Sequence, residues 1–297
     1  MKERVFAYLH LIGITRLARW LNRRRVTVLC YHGVTERPKR SVRDPAGLHV
    51  RRDRFIAQID YLKRHYRVIS LSDYLKARRE RKPLPPYSVV ITFDDGYRNF
   101  LTVAAQRLAE RGLPAAVFLV TDRIREEGHR APASRWSAED DEAYLSWVEV
   151  LELGGKPGIE IGSHTCTHPK LSKLTKQEIE RELKESREAI RARLGGRDIP
   201  FAYPYGDYSD CVIDQSRRAG YVCALTTDEG PNDFDENIFA LRRTLIGDDD
   251  DLPAFAARVS GLAAWIGKAA RLVKRPATGQ AGGRGDLAPA RTERTKA

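Results

Sequence analysis

The sequence of 297 residues is poor in cysteine and contains no long run of apolar residues. Its four cysteines have neither Cys-x-x-Cys spacing nor the density of a disulfide-stapled secreted domain, so we expect them to be reduced thiols. No Gly-x-Gly-x-x-Gly or Gly-x-x-x-x-Gly-Lys-Ser/Thr loop follows a predicted strand. The sequence therefore argues against a nucleotide cofactor and against a zinc-finger module.

The apolar residues near the start of the chain do not form a membrane-spanning or signal segment. Residues 3–22 are interrupted by His10, Arg16 and Arg19, and no small-residue cleavage site follows them. With the reduced cysteines, this pattern predicts a cytoplasmic protein, or a protein peripheral on the inner face of the cytoplasmic membrane. A secreted protein is the alternative.

The formal net charge of +12 is concentrated at the two ends of the chain. Residues 1–25 carry seven Lys/Arg and one Glu, residues 268–297 carry eight Lys/Arg and two acids, and the residues between them are formally neutral. A groove that tracks phosphates would need basic residues along the body, so we expect no nucleic-acid partner. Basic ends suit contact with an anionic membrane surface, or simple solubility.

Three regions follow from this pattern. Residues 1–25 are predicted to form a basic amphipathic helix that either lies on an anionic membrane surface or packs on the outside of the domain. Residues 26–267 are predicted to form one catalytic domain. Residues 268–297 are rich in Gly, Ala, Pro and Arg, which predicts a basic, disordered tail.

The body of the chain alternates short β-branched segments with helical patterns. One helix start is marked by Thr175-Lys-Gln-Glu178, which has the form of a capping box. About eight strands alternating with helices predict an α/β fold with parallel strands, closed into an irregular (β/α) TIM-like barrel. A doubly wound open sheet is the alternative.

Polar residues follow several predicted strands at the point where each strand ends. The buried segment Ser88–Phe93 runs into Asp94-Asp95-Gly96, where a simple hairpin turn is the alternative to an active site. His32, His164 and the segment 203–206 follow other strands. Because the carboxyl ends of parallel strands share one face of a barrel, we expect these residues to converge.

The spacing of His164 and His168 would place both imidazoles on one side of a helical turn, from which both could reach one metal ion. Hydrogen bonding of both rings within a loop is the alternative. Two imidazoles and one carboxylate suit Zn²⁺ or another divalent ion. One of the tandem aspartates would then bind the metal, and the other would take a proton from the attacking water.

Three motifs resemble those of the polysaccharide deacetylases, the NodB homology or carbohydrate esterase family 4 group: Thr92-Phe-Asp-Asp-Gly96, His164-Thr-Cys-Thr-His168-Pro169 and Phe201-Ala-Tyr-Pro-Tyr-Gly206. The resemblance covers roughly residues 26–246. It implies a deformed (β/α) barrel that removes N-acetyl groups, occasionally O-acetyl groups, from amino sugars in a polysaccharide, oligosaccharide or lipid-linked glycan with the help of a divalent metal. The resemblance also keeps the secreted alternative open, because many glycan deacetylases work outside the cell.

The resemblance also assigns roles to individual residues. It implies that Asp95, His164 and His168 are metal ligands and that Asp94 is the catalytic base. Many family members supply the general acid from a C-terminal Leu-x-His motif, but no histidine follows His168 here. His32 resembles the N-terminal histidine of the circularly permuted branch that deacetylates poly-β-1,6-N-acetylglucosamine, so we predict that it is the acid; a structural role is the alternative.

The third motif lacks the arginine that orients the base in many members. Arg242 or Arg243 could take that place beside the substrate, although an ordinary surface salt bridge is the favoured interpretation. The resemblance implies that the backbone N–H of Tyr205 helps to hold the oxyanion. Trp147 is predicted to line the sugar groove, with core packing as the alternative for an aromatic residue on a helix.

Two other functions remain open from the sequence. The same barrel could be a non-catalytic carbohydrate-binding or membrane-associated scaffold, or a metal-dependent amidohydrolase that acts on a non-glycan amide.

Overall fold

Parallel strands built from buried, β-branched segments form the centre of the protein. The computed structural model describes residues 2–36, 47–126, 143–196 and 198–273. The strands are β1 (Thr27–Tyr31), β2 (Gly33–Thr35), β3 (His49–Arg51), β4 (Arg67–Val68), β5 (Ser88–Phe93), β6 (Ala115–Leu119), β7 (Ile159–Ser163), β8 (Phe201–Ala202), β9 (Ala224–Leu225) and β10 (Thr244–Leu245).

Helices follow most of these strands and cover the outside of the sheet. They are α1 (Lys2–Leu11), α2 (Ile14–Leu21), α3 (Arg52–His65), α4 (Leu71–Arg79), α5 (Gln106–Ala109), α6 (Trp147–Gly154), α7 (Lys176–Leu194), α8 (Asp210–Arg218), α9 (Leu252–Val259) and α10 (Leu262–Val273). A π-helical segment, Phe100–Ala105, leads into α5. The capping box predicted at Thr175 is confirmed, because the Thr175 and Glu178 side chains each accept a hydrogen bond from the other residue's backbone N–H.

The main sheet has eight parallel strands, seven of them in the order β10-β1-β5-β6-β7-β8-β9. The eighth, β4, pairs with the first residues of β5, and β6 pairs with the last residues of β5. The two ends of the sheet meet, because Leu241 donates to the Ala224 carbonyl and accepts from the Thr226 N–H. The predicted irregular (β/α) barrel with parallel strands is confirmed. Strands β2 and β3 form a separate two-stranded sheet beside the carboxyl end of β1.

The strands bury their side chains on both faces, as expected for a sheet that is covered by helices. All residues of β1, β5 and β6 are buried. The interior cluster is rich in aromatic rings, and Tyr31 and Phe93 stack with centroids 5.2 Å apart on neighbouring strands. This packed interior holds the carboxyl ends of β1 and β5 in a fixed relation.

The N-terminal segment differs from the single amphipathic helix predicted over residues 3–22. Gly13 has a left-handed φ of 85°, which ends α1 and begins α2 in a new direction. The inner faces of both helices pack on α9 and α10 through Phe6, Leu9 and Ala18. Among the described residues, no helix combines the length and apolarity needed to cross a bilayer.

The C-terminal boundary predicted at Lys268 is too early. Helix α10 continues to Val273, because Ala269, Ala270 and Leu272 are good helix formers that extend the helix anchored by Trp265. Residues 274–297 of the predicted tail lie outside the described residues.

Candidate active site and metal centre

The tandem aspartates lie directly after β5, where the chain makes a sharp turn. Asp95 and Gly96 both have left-handed backbone angles, with φ of 71° and 76°. A side chain at position 96 would bring its Cβ to 3.0 Å from Leu119 Cδ2, so only glycine fits this turn without strain. The turn directs Asp94 toward the last strand and Asp95 toward the two histidines.

Asp94 is buried and is held by Arg243, whose side chain is fully buried. Arg243 Nη1 and Nη2 donate to Asp94 Oδ1 and Oδ2, both at 2.7 Å. The remaining donors of the guanidinium bond to the Thr226 carbonyl and to Thr92 Oγ1, at 2.7 and 3.3 Å. The surface salt bridge favoured from sequence is therefore wrong for Arg243, because barrel closure carries this residue inside. Arg242 does make an outer ion pair, with Glu236.

Arg243 also fixes the ionisation state of Asp94. Burial alone would raise the pKa of Asp94, but the adjacent Arg243 outweighs it and holds the pKa well below its ordinary value. The Cys30 thiol supplies a further donor to Asp94 Oδ2, at 3.4 Å. Asp94 is thus an oriented carboxylate that is ionised in the resting site.

The two histidines lie in a loop after β7 and not on the helical turn that their spacing suggested. Thr165 and His168 both adopt left-handed backbone angles, with φ of 70° and 68°. Non-glycine residues in this region are strained, and such strain is concentrated at functional sites. The loop is closed by a hydrogen bond from the His168 N–H to Thr165 Oγ1, at 3.0 Å.

The same loop is held by Glu182 of helix α7, a residue that was not predicted from the sequence. The Glu182 carboxylate is buried and accepts hydrogen bonds from the Cys166 N–H (2.9 Å), the Thr167 N–H (3.0 Å) and the Thr167 hydroxyl (2.7 Å). Its sequence signal is position: Glu182 lies on the buried stripe of α7, between Ile179 and Ser186. An acid on the apolar face of a helix needs polar partners, and here they belong to the loop.

Asp95, His164 and His168 form a cluster that could hold a metal ion, with their ligand atoms within 4.8 Å of one another. Asp95 Oδ1 lies 3.4 Å from His168 Nε2 and 3.7 Å from His164 Nε2. His164 Nδ1 lies 2.7 Å from the Ala202 carbonyl, to which it can donate, and this leaves the Nε2 lone pair free for a ligand.

Two further observations fit a cation in this cluster. Asp95 Oδ1 is buried and makes no hydrogen bond to the described residues. Burial, with a smaller contribution from His164, lowers the pKa of His168 to about 4, so that its imidazole is neutral, which is the form that binds a metal. The set of two nitrogens and one oxygen suits Zn²⁺ or another divalent transition metal.

His32 follows β1 and lies within electrostatic range of Asp94, Asp95 and His164. Burial lowers its pKa, although both carboxylates act in the opposite direction. Its Nδ1 makes no hydrogen bond to the described part of the chain, so the ring is not tied into a structural network. The structure therefore brings His32 to the same end of the barrel as the carboxylates.

The two aromatic candidates have different positions. Tyr205 is 60% exposed, and its ring packs edge-on against His168 with centroids 4.6 Å apart. Its backbone is left-handed, with φ of 59°. Trp147 is only 5% exposed and packs in the core beneath Arg193, so the predicted groove-lining role is corrected to core packing.

Comparisons with known proteins agree with this geometry. Residues 81–224 match the family model described as polysaccharide deacetylase. This range includes both aspartates and both loop histidines, whereas His32 and Arg243 lie outside it. The Bacillus subtilis (strain 168) protein YxkH is 25% identical over 240 residues, which span 80% of this chain and 77% of that protein.

Two further comparisons cover most of the chain. The Escherichia coli (strain K12) poly-β-1,6-N-acetyl-D-glucosamine N-deacetylase is 22% identical over 73% of this chain, which spans only 36% of that longer protein. Among solved structures, the Streptococcus pyogenes deacetylase PplD in complex with acetate has a TM-score of 0.66 at 24% identity. The similarity covers 79% of this chain and 98% of PplD, and at this identity it supports the barrel fold alone.

Proposed function

We propose that the chain, whose residues 81–224 match the polysaccharide deacetylase family, is a metal-dependent hydrolase that releases acetate from N-acetylated amino sugars of a glycan. The observation that carries the proposal is the pairing of two differently held aspartates. Asp94 accepts three hydrogen bonds, two from Arg243 and one from Cys30. Asp95, in contrast, presents to two imidazoles an oxygen that has no hydrogen bond to the described residues. A base and a metal ligand need these two opposite environments.

We propose that Asp95, His164 and His168 hold a divalent metal, and the donor set favours Zn²⁺. Bound there, the ion would supply the positive charge that polarises an acetamide carbonyl and makes water more acidic. The loop that carries both histidines is fixed by Glu182, which limits how far the imidazoles can move.

Asp94 would act as the general base. In hydrolysis, the water oxygen attacks the acetamide carbon, its proton passes to the base, and the bond from carbon to nitrogen breaks to give acetate and a free amine. Arg243 keeps Asp94 ionised and aimed, so that no rearrangement is needed before proton transfer. The backbone N–H of Tyr205 is the proposed donor to the oxyanion.

His32 is the proposed donor to the leaving amine. Because its pKa is lowered, His32 is neutral in the resting site and must receive a proton before it can donate one. The proton removed from water balances the one that the amine requires, so a relay between Asp94 and His32 would leave the site unchanged after each turnover. The unbonded Nδ1 of His32 supports this role over a structural one.

The glycan named for the Escherichia coli relative makes poly-β-1,6-N-acetylglucosamine the first substrate to test. We expect metal-loaded protein to release acetate and to produce free amines, measured by mass spectrometry over N-acetylglucosamine oligomers and lipid-linked amino sugars. Chelation should abolish release, and re-addition of metal should restore it.

The control variant is His168→Ala, which removes one proposed ligand. We expect lower metal content and loss of acetate release together. Stoichiometric metal in the wild-type protein with no acetate released from any glycan would overturn the proposed substrate class, and release that persists after complete chelation would overturn the metal dependence.

A further inference from the structure

The first two helices expose an unusual amount of apolar surface. Twelve large apolar side chains are exposed in the described part of the chain, and seven of them lie in this short segment. They are exposed by 48% to 82%, with Leu11 the most exposed. The seven are Val5, Tyr8, Leu11, Ile12, Leu17, Trp20 and Leu21. We call them the outer face of α1 and α2. A concentrated apolar surface of this kind marks an interaction site.

The outer face belongs to helices that are firmly docked. Their opposite side packs on Ala257, Leu262 and Trp265 of α9 and α10. Asn22, directly after α2, donates to the Ser260 carbonyl at 2.8 Å. The helices are therefore part of the folded domain, and the side chains of their inner side make the contacts that hold them there. Packing within the described chain does not account for the outer face.

The charged residues within the segment itself are almost all positive. Residues 2–25 include seven Lys/Arg and one Glu. Two of the arginines already have partners within the chain, since Arg19 donates to the His65 carbonyl and Arg25 pairs with Asp233. Arg16 and Arg24 are exposed. An apolar face bordered by arginines is the composition of a helix that lies in the interface of an anionic bilayer.

Other occupants of the outer face fit less well. Residues 274–297 contain one large aliphatic residue, Leu287, and six Lys/Arg against two acids, so this tail could neither fill an apolar face nor complement its charge. A second copy of the chain would bring two basic surfaces together. We propose that the outer face of α1 and α2 docks the protein onto an anionic phospholipid surface without spanning it.

The position of the outer face leaves the active site free. Arg19 lies over the rings of Tyr66 and Tyr87, the residues directly before β4 and β5. Helix α2 therefore lies beside the amino ends of the strands, whereas both aspartates and both loop histidines follow their carboxyl ends. A docked molecule keeps its catalytic end open, so lipid binding should not change turnover of a soluble substrate.

The test is co-sedimentation of the full chain with vesicles of phosphatidylcholine, with or without phosphatidylglycerol. We expect binding only to the anionic vesicles, and weaker binding as salt rises from about 0.05 M to about 0.5 M. The triple variant Leu11→Ser, Leu17→Ser, Leu21→Ser should weaken the partition coefficient at least about tenfold, and Arg16→Glu with Arg24→Glu should weaken it by about tenfold.

The matched control is Val148→Ser with Leu151→Ser, which removes two similarly exposed apolar side chains from α6. This control should bind vesicles as the wild type does. Circular dichroism checks that each variant is folded. If the triple variant does not fold, the variant Arg16→Glu with Arg24→Glu still tests the proposal. Equal binding to neutral and anionic vesicles, or unchanged binding by the folded variants, would overturn the proposal. So would sedimentation velocity that shows a dimer lost in the triple variant while vesicle binding is unaltered.

Discussion

The two sides of the active site are held in place by different means. On the base side, Asp94 receives its donors from distant parts of the chain, Cys30 and Arg243, which are 64 and 149 residues away. On the metal side, the loop from His164 to His168 is held by Glu182, only 16 residues from Cys166. The base side therefore depends on barrel closure, whereas the histidine loop is held by helix α7 and by the Ala202 carbonyl of the neighbouring strand β8.

This difference follows the chemistry that each side must provide. A buried carboxylate that stays charged needs a buried cation, and Arg243 comes from the segment that joins the two ends of the sheet. A metal site needs ligands with unpaired lone pairs. The loop leaves such lone pairs on its imidazoles because its other polar groups form hydrogen bonds with Glu182 and with the Ala202 carbonyl. The proposed base is held by several donors, whereas the proposed metal ligands keep lone pairs available.

The largest expected effect comes from neutralising the base. Asp94→Asn should lower kcat by about 10²–10⁴-fold, because the amide cannot accept the proton of the attacking water. Metal content should not change, since Asp95, His164 and His168 remain. Elemental analysis and acetate release measure the two quantities on one sample. The exposed Asp122→Asn is the control, and a retained kcat in Asp94→Asn would remove Asp94 from the role of base.

Removing the buried cation Arg243 should lower the stability of the folded protein. Arg243→Met leaves Asp94 buried without a counter-charge and should lower the free energy of unfolding by about 3–5 kcal/mol. Urea unfolding of the metal-free protein measures the change. Arg242→Met, which breaks only the outer contact with Glu236, is the adjacent control and should have a much smaller effect.

The same variant should also reverse a pH dependence. In the wild type the pKa of Asp94 is lowered, so its contribution to stability is complete above the unfolded value of about 3.9 and is lost as pH falls below it. In Arg243→Met, uncompensated burial should raise this pKa above the unfolded value, so the variant should lose stability relative to wild type as pH rises from about 4 toward 7. A constant difference between the two proteins over this range would contradict the assigned pairing.

On the metal side, Glu182→Gln should weaken metal binding without removing a ligand. The charged oxygen that accepts from the N–H groups of Cys166 and Thr167 would become a neutral amide oxygen, so these hydrogen bonds would weaken and hold the loop less firmly. The metal dissociation constant should therefore rise by about 10–100-fold. Competition with a chelator measures the constant. Glu185→Gln, on the exposed side of the same helix, is the control; equal affinities in the two variants would argue against a positioning role for Glu182.

The smallest expected effect is at Cys30, the weakest donor to Asp94. Cys30→Ala should lower kcat by about threefold to tenfold with KM unchanged, as expected for the loss of one hydrogen bond of about 1 kcal/mol. Cys30→Ser keeps a donor and should restore most of the rate. Cys223→Ala, at an equally buried site away from Asp94, separates this effect from a cavity. Similar losses in both alanine variants would assign the effect to packing.

Much of this site could be read from local sequence. The buried strand before Asp94 and the capping box at Thr175 are both short-range features, set by side chains within a few residues of one another. Parallel strands then predict that the polar residues after β1, β5 and β7 share one end of the barrel. These inferences needed no knowledge of how the barrel closes.

Other features could not be derived in this way. The spacing of His164 and His168 suggested a helical turn, but the loop uses left-handed residues at Thr165 and His168 to bring the same two rings together. Trp147 could have faced a groove or the core, because the position of one residue on a helix does not show which side of that helix other elements will cover.

The sequence by itself determined the tandem aspartates, the histidine pair and the parallel strands that place them at one end of the protein. Only the tertiary structure decided which aspartate accepts hydrogen bonds from Arg243 and which presents an oxygen without a hydrogen bond. Arg243 reads as one of two adjacent surface arginines, and it becomes the buried partner of Asp94 because the sheet curls until its ends meet. Long-range closure, and not local propensity, therefore gives the two carboxylates the different environments that the proposed base and the proposed metal ligand require.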